Sequence, residues 1–267
     1  MKNPPAILGK IAESTVKRVA KAKEVLPFEQ IKNLMPRINT DKRGQKMDFY
    51  NALSSPGLSF ICEVKKASPS KGVISENFPW LEIAKEYEEG GAAAISVLTE
   101  PEFFLGSDQY LRGISEAVKI SVLRKDFIID IYQLYEAKLW GAKAALLICA
   151  LLEQETLREF LQEAQKLDLD CLVEIHSEQE AAEALEAGAR IIGINNRDLT
   201  TFKIDTGLTS RLRKNIPGGI ITVAESGINC ADDIRAVKET GADAVLIGES
   251  LMRSSDRINF LKELISV

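Results

Sequence analysis

Short apolar runs alternate along most of the chain with segments whose apolar positions recur at helical spacing. The runs at residues 58–65, 93–98, 120–124, 144–148, 171–175, 191–194, 219–224 and 244–247 predict strands. Helical patterns fall between them, at 80–89, 109–118, 131–139, 154–167, 178–187, 208–214, 230–239 and 260–265. The strand runs show little polar alternation, as expected of a parallel sheet covered on both faces. A Gly-Ala pair recurs at Gly91-Ala92, Gly141-Ala142, Gly188-Ala189 and Gly241-Ala242, at intervals of 50, 47 and 53 residues. Each pair closes a helical segment, where glycine can take a left-handed conformation, and opens the next strand. Eight such units predict an α/β fold, a closed (β/α)8 (TIM) barrel in preference to an open doubly wound sheet. Residues 1–50 lie outside the repeat. Ile7, Ile11, Val16, Val19 and Val25 mark an amphipathic helix ending before Pro27, so the single domain over 1–267 is expected to carry a helical N-terminal extension that covers one mouth.

Composition narrows the classes of partner. The chain has 267 residues, 45% hydrophobic and 27% charged, enough to bury an ample core in one domain. Its formal charge is −5 with acids and bases interspersed, so no basic tract points to nucleic acid or an anionic membrane. No signal-like start and no apolar stretch near the ~20 residues of a membrane span is present. A soluble cytoplasmic protein with a small-molecule partner is expected, as a monomer, with a homodimer through the first helix as the alternative. Cys62, Cys149, Cys171 and Cys230 have no CxxC spacing, and the first three sit in strand-like runs. Buried free thiols are the expectation, rather than a disulfide framework or a zinc site.

Polar residues collect at the C-terminal ends of the strands: Glu63 and Lys65, Lys125, Glu174, Asn195 and Arg197, Glu225 and Ser226, and Gly248. In a barrel these ends meet at one mouth, where catalytic groups belong. Glu63 and Lys65 share a strand face, and the bland reading is a structural ion pair. Lys125 precedes Asp126, and a strand-end lysine paired with its neighbour is common. Glu174 ends an apolar run, where an uncompensated carboxylate is costly, so a catalytic base or a lysine partner is expected. His176, the only histidine, is placed on the outer rim with little direct role. The turns at Glu225-Ser226-Gly227 and Gly248-Glu249-Ser250 read as a phosphate cradle of backbone N–H groups, with Gly248 alternatively a tight turn. Phe103-Phe104 and Phe127 fall in loops after the second and third strands and suit an apolar wall for an aromatic substrate.

The segments Glu63-Val64-Lys65-Lys66-Ala67-Ser68-Pro69-Ser70-Lys71-Gly72, Ser96-Val97-Leu98-Thr99-Glu100, Leu123-Arg124-Lys125-Asp126-Phe127, Leu172-Val173-Glu174, Gly193-Ile194-Asn195-Asn196-Arg197-Asp198-Leu199 and Ala224-Glu225-Ser226-Gly227-Ile228 resemble indole-3-glycerol phosphate synthases nearly end to end. The resemblance implies a phosphorylated aromatic substrate, 1-(2-carboxyphenylamino)-1-deoxyribulose 5-phosphate, and neither metal nor organic cofactor. It implies that Lys125 is a general acid towards the substrate carbonyl and Glu174 a base. Lys65 lies near the substrate carboxylate and is a candidate dehydration acid, Glu63 orients the lysines, and Asn195 holds the ribulose part. It further implies that Arg197 helps with the carboxylate and that Ser68 and Pro69 shape the first loop. Some family members carry a phosphate-contacting lysine where this chain has Ala67, and a serine where it has Glu249, so Glu249 is expected to act through its backbone only. The alternatives are another phosphate-binding barrel, such as a phosphoribosylanthranilate isomerase, or a non-catalytic phosphate-sugar binding module.

Overall fold

The computed structural model describes residues 2, 6–40 and 48–267. Eight strands form a closed parallel barrel: β1 (Ser59–Val64), β2 (Ala94–Leu98), β3 (Ser121–Lys125), β4 (Ala144–Ile148), β5 (Asp170–Ile175), β6 (Ile191–Asn195), β7 (Ile221–Glu225) and β8 (Ala244–Ile247). β1 closes the ring, with Ser59 opposite Ala244 of β8 and Ile61 opposite Ala94 of β2. All residues of β1, β2, β4, β6, β7 and β8 are buried. One side of each strand fills the barrel and the other lies under helices, which is why the apolar runs show so little alternation.

The repeated glycine does what its position predicts. Gly91, Gly188 and Gly241 cap their helices in the left-handed conformation, and Gly141 shares it at φ 88°. At the first of them, Gly91 N–H donates to Glu88 and Ala92 N–H to Tyr87, and Ala93 N–H then bonds to Phe60 of β1. Two residues thus convert a helix end into a paired strand.

The extension follows the expected plan with a different apolar stripe. The first helix, Ala6–Val25, buries Leu8, Ile11, Ala12, Thr15 and Val19, whereas Val16 is 47% and Val25 80% exposed. The 3.6-residue period puts Leu8, Ala12 and Thr15 on the face of Ile11 and Val19, and rotates Val16 and Val25 off it. This helix does cover a mouth, the C-terminal one, where Ile7, Leu8 and Ile11 border a cavity. Arg18 binds Asp126 and Lys23 binds Asp130, both in the loop after β3, while Ser14 bonds Glu102 after β2. A second helix, Phe28–Thr40, sets Phe28 edge-on to Tyr132 and Tyr135. The rest of the predicted extension, residues 1, 3–5 and 41–47, lies outside the described residues.

Elements absent from the apolar pattern are short: the helix Phe49–Leu53 and a ribbon pairing Ala67–Ser68 with Gly72–Val73 in the loop after β1. Cys62, Cys149 and Cys171 are buried free thiols and Cys230 is exposed and free. Among the described residues, no helix is long and apolar enough to cross a membrane.

Candidate active site

The C-terminal strand ends surround a cavity of about 570 Å³. Its wall includes Glu63, Lys65, Ser68 and Pro69 from β1 and its loop, Phe104 after β2, and Lys125 and Phe127 from β3 and its loop. Glu174, Asn195, Arg197, Glu225, Ser226, Gly227, Gly248 and Glu249 complete the set of residues singled out from sequence. Phe103 is not part of the wall, although its neighbour Phe104 is.

Lys125 forms the centre. Its Nζ lies 2.6 Å from Glu225 Oε2 and 3.2 Å from Glu174 Oε2, all three side chains being at most 13% exposed. The bland alternative, a pair with Asp126, does not occur. Consecutive strand residues point to opposite sides, so Lys125 enters the barrel while Asp126 turns outward. There Asp126 accepts from Arg18 at 2.6 and 2.9 Å, Arg124 at 3.0 Å, Thr99 at 2.6 Å and the Phe127 N–H at 2.8 Å. Burial disfavours its charge, yet Arg18 and Arg124 hold its carboxyl far below the ordinary aspartate range.

The inner cluster has one lysine against several acids. Burial alone would pull the Lys125 ammonium down, but Glu225, Glu174 and Glu63 raise its pKa above the ordinary lysine value, so it is charged at neutral pH. Burial pushes Glu225 up, Lys125 opposes this, and Glu174 and Glu63 add to it; the result is about 7. Glu174 goes the other way: burial disfavours its charge, but Lys125 and His176 hold it below the ordinary glutamate value. Two adjacent carboxyl groups are thereby split into one ionised and one poised near neutrality.

His176 is not out on the rim. Its ring lies against Glu174, Nε2 to Oε1 at 3.5 Å, and its side chain is only 16% exposed. Alternation along β5 sends Glu174 inward, and the turn that follows folds the imidazole back over it.

Two glycines clear the space for these charges, a role that the sequence alone does not reveal. A Cβ on Gly193 of β6 would collide with the Glu225 carboxylate. A Cβ on Gly248 would sit 2.5 Å from Glu63 Oε1 and 3.1 Å from Lys65 Nζ, whose side chains form an ion pair. Gly248 has φ −126°, so room for that pair rather than turn conformation requires glycine.

The loop after β7 is held by β6. Asn195 Oδ1 accepts from Ser226 Oγ at 2.9 Å and from the Arg197 N–H at 3.1 Å, while Asn196 Nδ2 donates to Ser226 O at 3.1 Å. Ser226 adopts φ 66°, a strained conformation for a non-glycine residue, followed by Gly227 at φ 84°. Glu249 begins the short helix Glu249–Arg253, and its carboxylate faces Lys71 at 3.4 Å and Arg253 at 3.2 Å. On the opposite wall, the Phe104 and Phe127 rings lie 5.8 Å apart. Phe104 is fixed from below by the buried Glu100 carboxylate, which accepts N–H bonds from Glu102, Phe103 and Phe104.

A lysine between two glutamates, a second lysine paired to a third, and a strained loop facing two phenylalanines make a site for proton transfer on an aromatic, anionic substrate. The family model for indole-3-glycerol phosphate synthase matches residues 8–264. The chain belongs to the indole-3-glycerol phosphate synthase family. It is 55% identical over 250 residues to the indole-3-glycerol phosphate synthase of Ruminiclostridium cellulolyticum, covering 94% of this chain and 95% of that one. It is 53% identical over 258 residues to the synthase of Endomicrobium trichonymphae, covering 97% and 99%. Among solved structures, 3-hexulose-6-phosphate synthase superposes with a TM-score of 0.62 at 15% identity, over 78% of this chain and 99% of that one. Thiamine phosphate pyrophosphorylase from Pyrococcus furiosus gives 0.61 at 19%, over 81% and 96%. These two likenesses are of fold alone. The indole-3-glycerol phosphate synthase family match favours the synthase over the isomerase and the binding module.

Proposed function

We propose that the inner cluster performs the reaction of the family with the following division of labour. The protein is a carbon–carbon lyase of tryptophan biosynthesis. It converts 1-(2-carboxyphenylamino)-1-deoxyribulose 5-phosphate to indole-3-glycerol phosphate, carbon dioxide and water. Phe104 and Phe127 hold the carboxyphenyl ring, and Lys65 and Arg197 face its carboxylate. Backbone N–H groups at residues 226–227 and 248–249 take the phosphate. The Glu249 carboxylate is drawn aside by Lys71 and Arg253, which removes the repulsion an acid would otherwise exert there. Ser68 and Pro69 close the first loop over the sugar, and Asn195 binds its hydroxyls.

In the first step the charged Lys125 gives a proton to the ribulose carbonyl oxygen as the ring carbon bearing the carboxylate attacks the carbonyl carbon. The C–CO2 bond then breaks, its electron pair returning to the ring and restoring aromaticity. Next the new hydroxyl leaves as water with a second proton, for which Lys65 and Lys125 are the donors in the cavity. Glu174, held ionised, removes the proton from the adjacent carbon to complete the indole. Glu63 orients Lys65, and Glu225 keeps Lys125 aimed into the cavity.

The observation that carries this assignment is Lys125 held between Glu174 and Glu225 in a barrel mouth that also presents an aromatic wall. Conversion of the carboxyphenylamino-deoxyribulose phosphate, followed by indole fluorescence beside a Lys125→Ala control, tests it. Product from the wild type and almost none from a folded control is expected. Equal turnover by both would overturn the role of Lys125, and binding without turnover by the wild type would favour the non-catalytic module. We further propose that the protein acts in the cytoplasm as a monomer, because the buried face of the first helix is spent on its own barrel. Sedimentation as a dimer would contradict the monomer.

A further inference from the structure

The proposed chemistry does not conserve protons within the site. Two protons are donated, to the carbonyl oxygen and to the leaving hydroxyl, and one is recovered from carbon by Glu174. The carboxylate leaves as neutral carbon dioxide, so each turnover draws one proton from solvent. The inner cluster is buried, and a bound substrate fills the cavity that the first helix covers. A refill route that avoids the substrate has to pass through the wall.

The wall contains one. Glu174 uses Oε2 for Lys125 and turns Oε1 towards His176 Nε2, 3.5 Å away. The other ring nitrogen, Nδ1, is 3.4 Å from Glu180 Oε2. Glu180 opens the helix Glu178–Ala187, is 17% exposed, and accepts the His176 N–H at 2.6 Å, which fixes the turn. His176 itself lies outside the cavity wall. Both ring nitrogens are buried with no hydrogen-bond partner among the described residues. A buried imidazole in that state is unusual. The ring is set between two carboxylates at 3.4 and 3.5 Å, in an orientation that makes neither contact a hydrogen bond. Four carboxylates surround it: Glu174, Glu180, Glu225 and, more distantly, Asp198.

Resting on the catalytic reading above, we propose that His176 with Glu180 is the proton port of the inner cluster, passing solvent protons to Glu174 Oε1, whose carboxyl group then turns to release the same proton to Lys125. No bond to carbon is involved; a proton enters one nitrogen of the ring and leaves from the other, and the imidazole is regenerated on each cycle. His176 does not touch the substrate and acts through Glu174. Burial alone would lower the imidazole pKa, but Glu180 and Glu174 together raise it above the ordinary histidine value, which favours the charged ring.

The test is kcat at saturating substrate, measured at rising imidazole concentration and constant pH and ionic strength, for wild type, His176→Ala, His176→Gln and Glu174→Gln. The port predicts a wild type indifferent to imidazole. It predicts His176→Ala lowered about tenfold in kcat at little change in KM, recovering as imidazole enters the vacated space beside Glu174. His176→Gln, which fills that space, is lowered but not rescued, and it serves alone through its solvent isotope effect on kcat if the alanine variant does not fold. Unchanged kcat in both variants, or a loss indifferent to imidazole with an unaltered isotope effect, would overturn the port. Undiminished turnover by Glu174→Gln would instead overturn the catalytic reading on which it rests.

Discussion

Lys125 and Asp126 are neighbours in sequence and centres of two buried charge networks on opposite sides of one strand. Around Asp126 every acceptor position is met: two arginines, a threonine hydroxyl and a backbone N–H converge on one carboxylate. Around Lys125 the balance is left open. Glu225 Oε1 and both nitrogens of His176 are buried without hydrogen-bond partners among the described residues, and Glu225 titrates near neutrality. A saturated network fixes geometry because any displacement breaks several strong bonds at once. An unsaturated one can gain and lose protons with little rearrangement. The strand holds the reactive cluster still by means of the inert one behind it.

The contrast is sharpened by substitutions on either side. On the inner side, Glu174→Gln keeps the shape and removes the proposed base, and kcat is expected to fall on the order of 10²–10⁴-fold with an unaltered melting temperature. A large loss of stability would move Glu174 to the structural side of the comparison. On the outer side, Asp126→Asn is expected to cost about 3–5 kcal/mol of unfolding free energy, since it removes the carboxylate shared by Arg18 and Arg124 and leaves the buried Arg124 with Glu136 as its one remaining acid. The Asp126 carboxyl is held below its ordinary range in the folded state. Its contribution is therefore complete at neutral pH and is lost as the pH falls through that range towards its depressed folded value. Urea melts of both proteins should converge in acid, and a pH-independent gap would contradict the assignment.

Arg18→Ala is smaller, about 1–3 kcal/mol, because Asp126 keeps its other partners. It should raise KM as Leu8 and Ile11 loosen over the cavity, and an unchanged KM would show that the first helix does not shape the site. Smallest is Glu225→Gln. Below about pH 7 Glu225 is protonated, so one fewer anion holds the Lys125 proton and Lys125 is a stronger acid. The wild-type kcat is expected to rise by roughly tenfold or less as pH falls through that value, and the glutamine variant to lack this limb. A limb that persists in the variant belongs to another group.

The barrel was legible because its signal is local: an apolar run, a glycine and a helical period recur in a repeat. The residues lining the mouth were legible through one topological rule, that parallel strands end together. What escaped is the pairing. That Lys125 and Asp126 pair with different partners on opposite sides is not written in their adjacency, since only the pleat separates them. Gly193 reads as another small residue in an apolar run, since nothing local says that a side chain from β7 crosses in front of it. His176 read as a rim residue because distance from Glu174 along the chain says little about a turn that folds back. The first helix revealed its period but not its phase, and Val16 and Val25 were assigned to the wrong face.

The clamp between Arg18 and Asp126 joins residues 108 positions apart. The helix that carries Arg18 is made before the barrel strands, yet Arg18 has no carboxylate to clamp until the third strand and its loop have emerged. Closing so long a loop is slow relative to forming the local strand–helix units, so the helix docks late. A chain interrupted before residue 126 holds its lid with nothing to cover, and a barrel that has closed but not docked it presents the lysines and glutamates to open water. Competence to turn over substrate is thus expected to trail barrel closure during refolding by the time the first helix takes to dock.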